Sequence, residues 1–94
     1  MIVVGIITVR LAIYHATSLK DKRRVVKSLK DRIRRRFNVS IAETDALDSA
    51  QRAVLTAAIV ANETRFVERC LQQVLNLIEG DREAALVDYS IETL

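Results

Sequence analysis

The chain is predicted to fold as an α+β sandwich of βαββαβ order, with a four-stranded antiparallel sheet covered on one face by two helices. Four segments alternate apolar and polar residues with the two-residue period of a strand. Two others carry apolar residues at the three- and four-residue spacings of a helix. Their order, strand, helix, two strands, helix, strand, is that of the split βαβ unit of the ferredoxin-like sandwich. Ninety-four residues, half of them apolar, suffice for one domain over 1–94 and are too few for two cores.

The first strand is expected over 2–14. Val3, Ile7, Val9, Leu11 and Ile13 share one face; Ile2, Val4, Ile6 and Thr8 share the other. Gly5 is where so long a strand is expected to bend or bulge. Ser18 then reads as a helix N-cap, with Asp21 placed to bond back as in a capping box. Leu19, Val26, Leu29, Ile33 and Phe37 form the helix stripe, and Asn38 suits a left-handed stop. Val39 and Ile41 open a short second strand ending near Glu43. Asp45, Asp48 and Ser49 favour a turn over 44–50. Residues 52–60 read as the third strand; their alanines suit a helix, but no helical stripe separates polar from apolar positions. Asn62 is expected to cap a second helix with Phe66, Val67, Cys70, Leu71, Val74, Leu77 and Ile78 as its apolar face, closed by Gly80 at C′. Val87, Tyr89 and Ile91 alternate with polar residues in the last strand.

If Val9, Leu11 and Ile13 face the helices, Ile2, Val4 and Ile6 face away, joined by Val54 and Val60. An apolar patch on the open face of so small a domain predicts a homodimer through Ile2, Val4 and Ile6. The competing expectation is a strand bend that returns some of these side chains to the core.

No catalytic constellation is visible. The two glycines, Gly5 and Gly80, stand alone and exclude a P-loop or dinucleotide fingerprint. The single histidine, His15, has no serine or cysteine motif beside it and reads as a solvated loop residue. Cys70, the single cysteine, lies on the apolar stripe as an inert thiol, and no thiolate cluster exists to hold a metal. Asp45 and Asp48 are two carboxylates without further ligands, so turn chemistry accounts for them. Glu43 and Arg52, on adjacent strands, are expected to pair with each other. No cofactor or metal is expected. The apolar start is interrupted at Thr8 and Arg10, without a basic leader or cleavage site, and no apolar run reaches membrane-spanning length. A cytoplasmic protein without membrane association is expected.

Charge is the strongest functional signal. Between Lys20 and Arg36 stand ten bases and two acids, a local charge of +8 inside a chain of net +3. At 100° per residue, Arg23, Lys27, Lys30 and Arg34 fall along one flank of the first helix, and Lys20, Arg24 and Arg35 extend the band around its exposed side. A merely solvated face usually mixes signs to gain i,i+4 pairs. This one predicts an anionic partner. Lys20 and Lys22 oppose the helix dipole, whereas Arg34 to Arg36 complement it. Arg65 and Arg69, on the second helix, lie outside the band.

The run Ser18-Leu19-Lys20-Asp21-Lys22-Arg23-Arg24-Val25-Val26-Lys27-Ser28-Leu29-Lys30-Asp31-Arg32 resembles the signature of the YlxP-like family of small bacterial proteins. Arg36-Phe37-Asn38-Val39-Ser40-Ile41-Ala42-Glu43, Gln51-Arg52-Ala53 and Val87-Asp88-Tyr89 continue the likeness along the chain. One departure is Ala50, where family members commonly carry a tryptophan. The resemblance implies a ferredoxin-like fold in a cytoplasmic bacterial protein with no assigned activity. It also implies genes placed beside those for a translation initiation factor and a ribosome-binding factor, which favours RNA as the anion.

The leading expectation is therefore a non-enzymatic module docking its first helix on RNA or the ribosome, with phosphate contacts rather than base readout. The dispersed aromatics Tyr14, Phe37, Phe66 and Tyr89 do not form an RNA-recognition platform. The alternatives are a protein-interaction module, dimeric and meeting an acidic protein, and a small-molecule sensor of ferredoxin-like type. Acylphosphatase-type chemistry would need an anion-cradling loop, which Tyr14-His15-Ala16-Thr17 lacks the glycine to build.

Overall fold

A computed structural model describes residues 1–94. Its elements are β1 (Val3–Ala12), α1 (Leu19–Arg36), β2 (Ser40–Asp45), β3 (Arg52–Ala61), α2 (Thr64–Glu79) and β4 (Ala85–Thr93). The strands pair in the order β2-β3-β1-β4, every neighbour antiparallel. This is the ferredoxin-like sandwich. Residues 52–60 are strand, not helix: ten consecutive pairs, Val3↔Ala61 to Ala12↔Arg52, tie β3 to β1.

Period-two alternation puts Val3, Ile7, Val9 and Leu11 of β1, with Leu55, Ala57 and Ile59 of β3, beneath the helices. From above, Val25, Val26, Leu29 and Ile33 of α1 and Val67, Leu71, Val74, Leu75 and Ile78 of α2 complete the core. Phe66 lies off that stripe, exposed, whereas Leu75, on the stripe's other edge, is buried.

Three expected helix ends differ. Ser18 does cap α1, accepting from the Asp21 N–H at 3.1 Å. The Asp21 carboxylate, however, reaches one residue further back, to Thr17 Oγ1 (2.7 Å) and the Thr17 N–H (3.1 Å). At the other end α1 stops on an extended Phe37 (φ −132°), so Asn38 takes no left-handed turn. For α2 the N-cap is Glu63 rather than Asn62, with no side-chain bond. Gly80 is a C-cap with a right-handed φ of −79°, not a left-handed C′ glycine. The chain instead turns through Asp81, whose N–H bonds to the Ile78 carbonyl and whose carboxylate accepts from the N–H groups of Glu83 and Ala84.

Gly5 is also not a bend. It is paired with Ile59 on one side and Thr93 on the other, and the break in register comes between Arg10 and Leu11, opposite β4. That bulge leaves Val87, exposed on an outer strand, without a β1 partner.

Candidate nucleic-acid interface

Helix α1 turns Lys22, Val25, Val26, Leu29 and Ile33 inward, so its cations project from the opposite surface and both flanks. Arg34 marks the flank beside β2, where its guanidinium donates to the Ile41 carbonyl at 2.9 Å. Arg24 and Arg32 mark the other. Arg24 makes a two-pronged pair with Glu83 (2.8 and 3.3 Å), and Arg32 pairs with Asp81, both acids lying in the loop before β4. The hydrogen bonds and charge of Arg24 hold the Glu83 carboxyl below its ordinary value, and Glu83 in turn raises Arg24. Along the middle, Lys27 pairs with Asp31 at 2.9 Å, and that bond holds the Asp31 carboxyl down.

The seven residues of the basic band thus divide. Arg24, Lys27 and Arg34 are engaged within the chain, whereas Lys20, Arg23, Lys30 and Arg35 make no hydrogen bond or ion pair in it. Arg23 and Lys30, seven residues apart, stand two turns from one another on the β2 flank. The free positive charge is concentrated there and on the helix crest, away from α2.

Lys22 is the polar residue that the sequence reading misplaced. It does not oppose the helix dipole from solvent; it is completely buried. Its ammonium donates to the carbonyls of Ala46 (2.9 Å), Arg52 (3.1 Å) and Leu47 (3.4 Å) and pairs with Glu43 Oε2 at 2.8 Å. This corrects the expected Glu43–Arg52 pair. Register places Glu43 opposite Leu55, on the helix-facing side, while the Arg52 guanidinium lies 5.6 Å from the Tyr14 ring centre. Lys22 thereby fastens the β2–β3 turn, where Ala46 is the one non-glycine residue with positive φ (58°), beneath the basic helix.

His15 makes no hydrogen bond and lines a shallow cleft of about 120 Å³ with Asp21, Arg24 and Glu83. No serine, threonine or cysteine lines that cleft with it. Burial pushes the Cys70 thiol up, which disfavours the reactive thiolate. Asp45 accepts from the Ala46 N–H at 2.7 Å as a turn residue. No three His, Cys, Asp or Glu side chains gather where a metal could be held. No helix is long and apolar enough to cross a membrane.

The family model described as "Protein of unknown function (DUF503)" matches residues 4–91. The Bacillus subtilis (strain 168) protein described as "Uncharacterized protein YlxP" is 38% identical over 77 residues, covering 82% of this chain and 84% of that protein. The chain belongs to this family. Among solved structures, the de novo designed protein Foldit4 superposes with a TM-score of 0.58 at 18% identity, over 100% of this chain and 97% of the other, a likeness of fold alone. A second design, described as having a ferredoxin fold, gives a TM-score of 0.49 at 15% identity, over 100% and 84%.

The Gln51–Arg52 pair of the YlxP resemblance has a structural role. The Gln51 side-chain amide donates to the carbonyls of Ala16 (3.2 Å) and Tyr14 (3.3 Å), and the Gln51 main-chain carbonyl accepts from Ile13 N–H at 2.9 Å. The pair therefore ties the start of β3 to the loop that launches α1. Ala50, half-buried just before it, presents no aromatic ring there.

Proposed function

We propose that the chain is a non-enzymatic RNA-binding module, acting in association with the ribosome, that lays the β2 flank and crest of α1 along an RNA backbone. The observation that carries this reading is the division of the basic band. The neighbouring acids Asp81 and Glu83 neutralise the α2 flank, and Lys20, Arg23, Lys30 and Arg35 are left without a partner. Cations held on a rigid helix and not repaid within the chain attract phosphate and release its counterions. The gene neighbourhood implied by the family resemblance agrees with RNA as that anion.

Fluorescence anisotropy with a labelled RNA hairpin tests it. Four phosphate contacts give a log–log salt dependence with a slope of about −3. The double reversal Arg23→Glu/Lys30→Glu should flatten it by about two and weaken binding strongly at low salt. Reversal of Arg65, on the exposed face of α2, should leave both nearly unchanged. Equal losses from the two helices would mean diffuse attraction, and capture of an acidic protein in place of RNA would transfer the flank to a protein partner.

A second reading concerns assembly. The open sheet face carries an apolar corner in which Val4 and Ile6 are half-buried and Ile2 (80%), Val60 (68%) and Leu94 (71%) are exposed. These belong together because Val4 pairs with Val60 on one side and exchanges backbone bonds with Leu94 on the other. Beyond Ile6 the face turns polar through Thr8, Thr56, Ser90 and Arg10, and Val54, expected to join the patch, lies buried opposite Arg10, apart from this corner. We propose a homodimer through Ile2, Val4 and Ile6, supported by that corner. Light scattering should then give about twice the 10.6 kDa chain mass, reverting to a single mass in Ile2→Lys/Val60→Lys. A monomeric wild-type chain would contradict it.

A further inference from the structure

The C-terminal turn of α1, the first turns of α2 and the end of β3 enclose a groove of about 460 Å³, within the usual range for small-molecule sites. Its rim brings together residues scattered along the sequence: Arg36, Phe37 and Asn38 from one side, Phe66, Arg69 and Gln73 from the other. No acid lines it. The side chains of Arg69, Asn38 and Gln73 make no hydrogen bond or ion pair within the chain. Arg36 has no ionic partner either; its guanidinium lies 5.4 Å from the Phe37 ring centre, covering that ring. Phe66 remains the open aromatic, 47% exposed on a helix whose apolar stripe is otherwise buried.

We infer that this groove is a nucleotide subsite, which seats an unstacked base against Phe66 and its phosphate between Arg36 and Arg69. Two guanidinium groups without a neutralising acid select an anion, and a free phenyl ring selects a flat apolar partner beside it. The amides of Asn38 and Gln73 offer both donors and acceptors to a base edge. A base paired in a duplex keeps its faces stacked, so the occupant is a free nucleotide or a single-stranded residue. The subsite deepens the RNA reading above and rests on it for its biological setting, and it gives the module a base contact that the α1 flank lacks.

Adenosine 5′-monophosphate titrated into ¹⁵N-labelled chain should shift amide signals over 36–38 and 66–73 and leave Arg23 and Lys30 unmoved. Phe66→Ala should weaken a single-stranded oligoadenylate about tenfold, the usual scale of one lost stacking contact, while Phe66→Tyr retains binding. Affinity for the RNA hairpin's duplex stem and the salt slope should not change in either. Arg69→Gln should weaken the mononucleotide and the oligoadenylate together. Mononucleotide shifts without oligoadenylate binding would identify a free nucleotide as the occupant. The inference is overturned if the mononucleotide moves no groove signal, or if Phe66→Ala affects duplex and single strand alike. It is equally overturned if a second copy fills the groove. The two readings fail separately: Arg23→Glu/Lys30→Glu should strongly weaken duplex binding yet keep the mononucleotide shifts, and a wild-type chain that binds no duplex but seats the nucleotide would sink only the α1 reading.

Discussion

Replacing Lys22 by alanine should destabilise the fold by about 3–5 kcal/mol, the scale seen when one partner of a buried ion pair is removed. Domains of this kind hold roughly 5–15 kcal/mol in total, so the variant would sit near the edge of folding. Lys22 is 0% exposed, and its ammonium serves three carbonyls and one carboxylate. Without it, the Glu43 carboxylate keeps its place between helix and sheet with no counter-charge. The carbonyls of Ala46, Leu47 and Arg52 lose a donor in a space that the apolar stem had closed to water. Lys22→Met keeps the stem and should cost less than alanine. Lys22→Arg should not rescue, because a planar guanidinium cannot replace a compact ammonium aimed at three converging carbonyls. Adding Glu43→Gln to Lys22→Met should restore part of the loss by removing the stranded charge. Urea unfolding followed by circular dichroism reads this as a lower midpoint at unchanged slope. A midpoint equal to wild type in Lys22→Ala would show that the buried ammonium is not what fastens the β2–β3 turn.

The same residue shows where sequence reading succeeds and where it stops. Strand alternation and helical stripes are local patterns, and each of the six elements was readable within a few residues of its ends. Leu19 and Val26 are seven apart, and the missing position of that stripe, Lys22, is where an apolar residue would ordinarily lie. The gap is a signal that a cation faces inward, but the acceptors that make its burial tolerable lie 21 to 30 residues away, on β2, β3 and the turn between them. The basic band was readable for the same local reason, and its division was not. Glu83 stands 59 residues from Arg24, and Asp81 49 from Arg32, so nothing along α1 distinguishes a neutralised arginine from a free one. The groove is less local still. Arg69 read as a residue outside the basic band, and Phe37 and Phe66 as dispersed aromatics, until the sandwich brought the helix ends together. The missed helix ends share a cause: Asn38, Asn62 and Gly80 permit special conformations but do not impose them when an extended residue or an aspartate turn serves.

Gly5→Ala should destabilise the fold by about 1–3 kcal/mol, although alanine suits a strand no worse than glycine does. The glycine's backbone is ordinary and fully paired; space is what it provides. A β-carbon placed there would lie 2.2 Å from Val67 Cγ1 and 2.9 Å from Leu71 Cδ1. Both belong to the buried stripe of α2, and Val67, being β-branched, has one strongly preferred rotamer in a helix and cannot swing aside. The remaining relief is to lift α2 from β1, which would open gaps beneath Val74, Leu75 and Ile78 as well. The closer clash is with the Val67 methyl, since Leu71 Cδ1 ends a flexible side chain, so trimming Val67 should relieve most of it. In a Val67→Ala background, already weakened by its own cavity, the further change Gly5→Ala should cost markedly less, with a coupling of about 0.5–3 kcal/mol between the two sites. Chemical denaturation of the wild type, both single variants and the double variant measures that coupling. Strict additivity would mean that α2 rests on β1 through other contacts and that Gly5 is not what sets their separation. A non-zero coupling would also bear on the groove, because Phe66 and Arg69 flank Val67 on the same turns of α2, and the helix that Gly5 seats on the sheet is the one that carries them.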